Sequence, residues 1–130
     1  MKKSIYILFV FFSAALINAQ QIKLITPRPF GGYNALVSKI VYDEELIKAK
    51  VEGHVVVRIV INEKGEVKSY RIVKPLNPKL DKSVIDAVRS TIFLPGVKDG
   101  VKTAMQIDLP LLFKDGNVSK DNSAINLQKN

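Results

Sequence analysis

The sequence predicts an α+β fold: a two-layer domain in which a three-stranded antiparallel sheet carries helices on one face. Three observations predict it. The segment Gly53–Val73 alternates like a β-hairpin, an apolar stripe at helical spacing runs from Leu80 to Ile92, and a third alternating stretch spans Val101–Leu109. A right-handed crossover through the helix places the third strand beside the first, so the expected strand order is 2-1-3.

The first 19 residues resemble a secretory signal peptide. Two lysines precede an apolar run from Ile5 to Ile17, and Ala19 closes a small-residue cleavage site, which predicts a mature protein that begins at Gln20. The alternative is an uncleaved membrane anchor, but the run is shorter than the roughly 20 apolar residues that span a bilayer. We therefore expect a periplasmic protein, free or attached to a membrane. The chain of 130 residues contains no Cys, so burial alone must stabilise it.

Two short helices are predicted ahead of the hairpin. Residues 20–29 form an extended lead with two prolines, and the predicted domain covers residues 30–113. Asn34 is expected to cap a first helix that continues through Ile40. Asp43 is expected to cap a second, since acidic residues follow it in the first turn, where the helix dipole favours negative charge.

The hairpin itself is the clearest local signal. Val55, Val57, Ile59 and Ile61 recur at every second position, as in a strand with one buried face. The segment Asn62–Gly65 then predicts a turn with glycine at positive φ. The second strand changes its alternation, which predicts a β-bulge near Lys68 or Ser69.

The rest of the chain is predicted to contain one helix and one strand. A connector without regular structure is expected at Lys74–Pro78, a helix at Leu80–Thr91, and a loop over Val97–Gly100. The last strand is expected at Val101–Leu109. The final segment, Lys114–Asn130, is polar and lacks periodicity, so it is predicted to be a tail.

No catalytic or metal-binding pattern is present in the sequence. The single histidine, His54, opens a strand and is expected to face solvent. The acidic run Asp43–Glu45 is explained by the start of a helix, Asp81 and Asp86 do not converge on one helix face, and Gly96–Gly100 is too short and acidic for a phosphate loop. We expect neither enzymatic activity nor a metal, a cofactor or a small-molecule substrate.

An ordered set of motifs resembles the TonB C-terminal domain family of Bacteroidetes type, over Phe30–Phe113. These are Phe30-Gly31-Gly32, the run from Tyr42 to Gly53 ending in Val-Glu-Gly, the Gly65 turn, Leu80-Asp81, Phe93-x-Pro95-Gly96 and Pro110-x-x-Phe113. Asp43 stands where the family usually has proline, and the tryptophan often found before Phe93 is absent. About ten residues separate the leader from the domain and reach at most about 35 Å. We therefore expect a binding module without the Pro-rich arm that crosses the periplasm, rather than a complete energy transducer.

The resemblance implies that a periplasmic peptide of a TonB-dependent outer-membrane receptor adds a strand to the sheet edge. The third strand is the expected edge, since its centre is uncharged whereas the second strand carries Lys68, Arg71 and Lys74. The implied partner-binding residues are Val41, Tyr42, Val101, Lys102, Thr103, Ala104, Met105, Gln106, Ile107 and Asp108. One alternative is an assembly protein that self-associates through the same edge, as in a homodimer. Another is a nucleic-acid-binding domain, which export and the scattered lysines argue against.

Overall fold

The computed structural model describes residues 22–123. In order, their elements are β1 (Leu24–Ile25), β2 (Arg28–Pro29), α1 (Tyr33–Val37), α2 (Glu44–Lys48), β3 (Gly53–Ile61), β4 (Val67–Lys74), α3 (Pro78–Arg89), β5 (Phe93–Leu94), β6 (Gly96–Lys98), β7 (Val101–Thr103), β8 (Met105–Lys114) and β9 (Asn117–Lys120). The predicted leader and residues 124–130 lie outside this range. Between residues 22 and 123, no helix is long and apolar enough to cross a membrane.

The main sheet has four antiparallel strands in the order β4-β3-β8-β9. Its first three strands confirm the α+β class and the predicted order 2-1-3. Strand β8 pairs with β3 along the full length of β3, from Gly53 opposite Phe113 to Ile61 opposite Met105. Strand β3 is therefore the central strand that both neighbours share.

The fourth strand corrects the prediction of a polar tail. Asp115 and Gly116 have φ angles of 52° and 77°, the left-handed pair that a two-residue hairpin turn requires and that Asp-Gly supplies. This turn brings Asn117–Lys120 back against Leu111–Lys114. Val118 packs against the core, so one apolar side chain anchors an otherwise polar strand.

The predicted hairpin is confirmed in detail. All four alternating residues of β3 are fully buried, and Gly65 adopts φ 83° in the turn. The pairing skips Lys68, because Val60 lies opposite Ser69 while Ile61 lies opposite Val67. That irregularity is the predicted bulge, and a second one lies between Val56 and Val57.

The helices cover one face of the main sheet. Helix α3 buries Leu80, Val84, Ala87 and Val88 against β3, and Leu36 of α1 joins the same core. Asn77 caps α3 through its side chain, which accepts hydrogen bonds from the N–H groups of Lys79 and Leu80. Pro78 therefore begins the helix instead of belonging to an irregular connector, because proline is well suited to the first helical position.

The first helix is shorter than predicted and has a different cap. Helix α1 ends at Val37 instead of Ile40, and its N-cap is Gly32, so Asn34 lies within the helix. Asp43 does occupy the N-cap position of α2, but its side chain makes no capping hydrogen bond. It forms an ion pair with Lys79 of α3 instead, which joins the two helices.

The predicted third strand divides at Ala104. Asp99 and Gly100 form the predicted turn, with φ of 51° and 81°, and they fold Val101–Thr103 back onto Gly96–Lys98. Strand β7 therefore belongs to a separate sheet, β1-β6-β7, and only β8 joins the main sheet. Strand β6 replaces the predicted loop because its backbone pairs with the lead on one side and with β7 on the other.

Candidate functional site

The outer edge of β8 is the main candidate for a binding surface. In an antiparallel sheet, the N–H and C=O groups of alternate residues point toward the same neighbouring strand. The carbonyl of Pro110 accepts a hydrogen bond of 2.9 Å from the Asp121 N–H, on the β9 side. Even-numbered residues of β8 therefore direct their backbone groups outward, and those of Gln106 and Asp108 lie on this edge.

Strand β9 covers only half of that edge. It pairs with Leu111–Lys114, and no strand in the described part of the chain pairs with Met105–Leu109 on this side. Pro110 marks the boundary: its nitrogen points outward and carries no hydrogen, so it needs no partner there. The open segment thus offers the backbone donors and acceptors of two residues.

The end of β9 is fixed by a small polar cluster. The carboxylate of Asp121 is 2.8 Å from Nε2 of His54, which lies on the opposite face of β3 from the core. Its other oxygen accepts hydrogen bonds from the backbone N–H and the hydroxyl of Ser123. These Ser123 bonds, followed by His54, lower the pKa of Asp121. The cluster holds the residue after β9 against β3 and Pro110, at the point where the open edge begins.

Arg58 neutralises the one charge on the open edge. Its guanidinium donates two hydrogen bonds, of 2.8 and 3.0 Å, to the two carboxylate oxygens of Asp108 on the neighbouring strand. This bidentate bond is the main reason that the pKa of Asp108 lies below its ordinary value. The side chain is held on the sheet surface, and the backbone edge stays free.

A cleft of about 600 Å³ runs along this edge. Its far wall is the lead, and its end is closed by α1 and β9, where Nζ of Lys120 lies 4.1 Å from the centre of the Tyr33 ring. The lining residues are Thr26, Pro27, Tyr33, Val56, Gln106, Ile107, Asp108, Leu109, Pro110 and Lys120. The sequence did not predict the contributions of the lead, α1 and β9, because each depends on long-range pairing.

The structure divides the predicted partner-binding residues between three places. Met105, Gln106, Ile107 and Asp108 lie in β8, with the side chains of Gln106 and Asp108 exposed. Val101, Lys102 and Thr103 lie in β7, in the smaller sheet. Ala104 joins the two strands.

Val41 and Tyr42 lie at the other end of the main sheet. The Tyr42 ring contacts Phe113 edge to face, with centroids 5.4 Å apart, and its hydroxyl donates to the Val51 carbonyl at 2.6 Å. Burial is the main cause that raises the pKa of Tyr42. Seven residues at roughly 3.3 Å each separate Phe113 from Gln106 along β8. These two predicted residues are therefore not brought together with the open edge.

The polar side chains near the edge are not arranged as a nucleophile and its base. Ser123 donates to Asp121, not to His54, so the three side chains do not form a nucleophile activated by a base. Within residues 22–123, no group of three or more His, Asp or Glu side chains converges as metal ligands would. The chemistry that this surface offers is backbone hydrogen bonding beside a partly apolar cleft.

Comparisons with known proteins agree with the fold. Residues 38–114 match the family model described as the C-terminal region of the Gram-negative bacterial TonB protein. A solution NMR structure of the Helicobacter pylori TonB C-terminal domain is 20% identical, with a TM-score of 0.51 over 65% of this chain and 89% of that one. A longer version of the same domain is 22% identical, with a TM-score of 0.49 over 63% and 75%.

No curated protein matches the chain. The family match begins directly after α1 and ends with the last residue of β8. It therefore contains the central hairpin, helix α3 and the open edge. It covers more than half of the sequence. The chain therefore belongs to the TonB C-terminal domain family.

Proposed function

We propose that this protein is a periplasmic binding module that engages an outer-membrane receptor by accepting an extended receptor peptide along the open edge of β8. The observation that carries the proposal is the unpaired backbone of Gln106 and Asp108 beside the cleft. An added strand gains main-chain hydrogen bonds at such an edge, and the cleft supplies contacts for its side chains.

The opposite edge of the sheet is poorly suited to the same role. Strand β4 carries Lys68, Arg71 and Lys74 and has two irregularities in its pairing with β3. Lysines and bulges are features that prevent edge pairing in natural sheets. On the open segment Met105–Leu109 of β8, by contrast, the single charged side chain, Asp108, is already paired with Arg58.

The family supports a role in transport without catalysis, since TonB C-terminal domains are transport-related, non-catalytic modules that are periplasmic in Gram-negative bacteria. For this chain, the predicted leader would provide export. Intact-mass measurement of protein from the periplasmic fraction should give a chain that starts at Gln20. A mass that still includes residues 1–19 would show that the leader is retained.

Peptide titration tests the binding edge. A peptide from the periplasmic end of a receptor, added to isotope-labelled protein, should shift the backbone amides of residues 105–110 most strongly. Shifts concentrated on β4 would contradict the proposed edge. Shifts near Val41 and Tyr42 alone would place the peptide at the far end of the sheet.

A pair of variants at Gln106 distinguishes the contribution of the backbone N–H to peptide binding from that of the side chain. Gln106→Pro removes an outward N–H, and we expect peptide binding to weaken by about tenfold, the upper range for one hydrogen bond. Gln106→Ala keeps that N–H and should bind as the wild type does. Met105→Pro is less informative, because the Met105 N–H points toward β3 and its loss would disturb the sheet. Equal binding by both Gln106 variants would contradict strand addition here.

Self-association through the same edge is the competing function. Sedimentation of the protein without peptide distinguishes the two: strand addition to a receptor predicts a monomer at micromolar concentration. A dimer that Gln106→Pro dissociates would instead assign the edge to a second copy of this chain.

A further inference from the structure

The lead pairs with the segment after α3 in one constant register. Leu24 lies opposite Lys98, Ile25 opposite Val97, Arg28 opposite Leu94 and Pro29 opposite Phe93. The Phe30 N–H then donates to the Ile92 carbonyl at 2.9 Å. Strands β1, β2, β5, β6 and β7 therefore lie along one arm, called the ribbon, which consists of two short antiparallel sheets in the same register, β1-β6-β7 and β2-β5.

One face of this ribbon is unusually apolar for an exposed surface. Because side chains alternate between faces, the constant register places the following residues, together called the ribbon face, on the same side: Leu24, Arg28, Phe30, Ile92, Leu94, Lys98 and Val101. They form two patches, since Gly96, which shares this side, is buried against the Met105 side chain. The exposed fractions are 57% for Leu24, 69% for Phe30, 70% for Ile92 and 65% for Val101. On the other face, Pro27, Pro29 and Phe93 are buried.

The charges on the ribbon face all have one sign. Arg28 lies opposite Leu94, and Lys98 lies between Leu24 and Val101. The neighbouring lysines Lys23 and Lys102 are one position removed and so belong to the other face. The nearby carboxylate of Asp99 lies in the turn, where it accepts a hydrogen bond of 3.0 Å from the Lys23 N–H. The face therefore combines exposed aliphatic and aromatic groups with cations.

We propose that the ribbon face docks on an anionic lipid bilayer surface. Basic side chains would contact the lipid phosphates while Leu24, Phe30, Ile92 and Val101 enter the interfacial region. A bilayer fits better than a second copy of the chain. Face-to-face pairing would bring together two sets of cations in a protein that already carries a formal net charge of +8.

The docking surface shares no residue with the proposed peptide site, although the lead contributes to both. Thr26 and Pro27 of the lead line the cleft, whereas Leu24, Arg28 and Phe30 belong to the ribbon face. The two proposals therefore make independent predictions, and either can fail without the other. Docking would hold the module at a membrane surface and so confine its search for a membrane-embedded receptor to two dimensions.

Vesicle co-sedimentation tests the proposal with mature protein from the periplasmic fraction. We expect binding to vesicles that contain phosphatidylcholine and phosphatidylglycerol, weaker binding at high salt, and little binding to phosphatidylcholine alone. The double variant Arg28→Glu/Lys98→Glu should bind at least about 25-fold more weakly, since loss of each basic residue near an anionic surface costs roughly fivefold and the new carboxylates are repelled by it. The variant Phe30→Ser/Ile92→Ser should bind the vesicles on the order of tenfold more weakly, because it buries less apolar surface in the membrane.

Matched control variants distinguish vesicle binding through the ribbon face from general electrostatic attraction of a basic protein to anionic lipid. Lys74→Glu/Lys82→Glu makes the same change in net charge on β4 and α3, and Val41→Ser/Val73→Ser removes exposed apolar groups elsewhere. Both controls should bind as the wild type does. The proposal is overturned if the wild type does not bind the anionic vesicles, or if the charge control loses as much affinity as the ribbon variant. A wild-type dimer that Phe30→Ser/Ile92→Ser dissociates would assign the face to self-association instead.

Discussion

Two regions of this domain use the same local geometry with different results. The body, formed by β3, β4, β8 and α3, and the ribbon, formed by β1, β2 and β5–β7, both consist of antiparallel strands with a glycine at positive φ in a turn. In the body, helix α3 covers the apolar face of the sheet, and the alternating residues of β3 are fully buried. In the ribbon, the outward apolar residues remain exposed.

The difference shows that alternation fixes which residues share a face but not what covers that face. Burial contributes stability only where a second layer removes the apolar surface from water. The body should therefore contain most of the positions at which substitution unfolds the protein. The ribbon should contain positions at which substitution changes binding while stability stays the same.

The largest contrast is expected between two phenylalanines. Phe113 is fully buried and contacts Tyr42, whereas Phe30 is 69% exposed. Phe113→Ala should lower the free energy of unfolding by about 3–5 kcal/mol, the usual cost of emptying a buried aromatic site. Phe30→Ala makes the same chemical change and should cost less than about 0.5 kcal/mol. Urea denaturation measures both, and similar losses would remove the distinction between body and ribbon.

Two glycine turns give the next contrast. Gly65 and Gly100 have φ of 83° and 81°, but an added Cβ at Gly65 would lie 1.9 Å from the Phe93 carbonyl oxygen, whereas at Gly100 it would meet nothing within 4 Å. Gly100→Ala should therefore cost only the roughly 1–2 kcal/mol of the left-handed backbone. Gly65→Ala should cost about 3 kcal/mol or more, since the clash also disturbs the Phe93 N–H bond to the Gly65 carbonyl. Equal melting temperatures of the two variants would show that the turn does not pack against β5 in this way.

The smallest expected effect is the pH dependence of the Arg58–Asp108 pair. The folded-state pKa of Asp108 is lowered, chiefly by its hydrogen bond to Arg58. The stabilisation is therefore present above the unfolded-state pKa of Asp108 and is lost as the pH falls through its lower folded-state value. The difference in melting temperature between wild type and Asp108→Asn should be small and positive at neutral pH and should shrink under acid conditions. If this difference in melting temperature grows as the pH falls, the ion pair with Arg58 does not lower the pKa of Asp108 in the folded protein.

Much of the body could be predicted because its signals are local. Alternation in β3, the glycine turn, the bulge at Lys68 and the helical stripe each depend on residues close in sequence. The missed strand β9 also had a local signal. Asp115-Gly116 favours a tight hairpin turn in the same way as Asp99-Gly100, but the polar residues that follow it obscured the strand.

The candidate site was less predictable because its parts come from distant segments. The sequence indicated which strand offers an edge, and Gln106 and Asp108 do lie on it. It did not indicate that Val101–Thr103 would pair with β6, or that Val41 and Tyr42 would lie at the opposite end of β8. Nor did it indicate that Pro27, Tyr33 and Lys120 would line the cleft.

The sequence by itself determined the α+β class, the hairpin, the central helix and the buried face of β3, because periodicity and turn chemistry act within a few residues. Only the tertiary structure decided which edges are covered and which faces remain exposed. Those features depend on pairing between segments far apart in the chain, such as Leu24 with Lys98 or Asp121 with His54. Backbone groups pair with any strand whatever its side chains, so local sequence does not specify the partner.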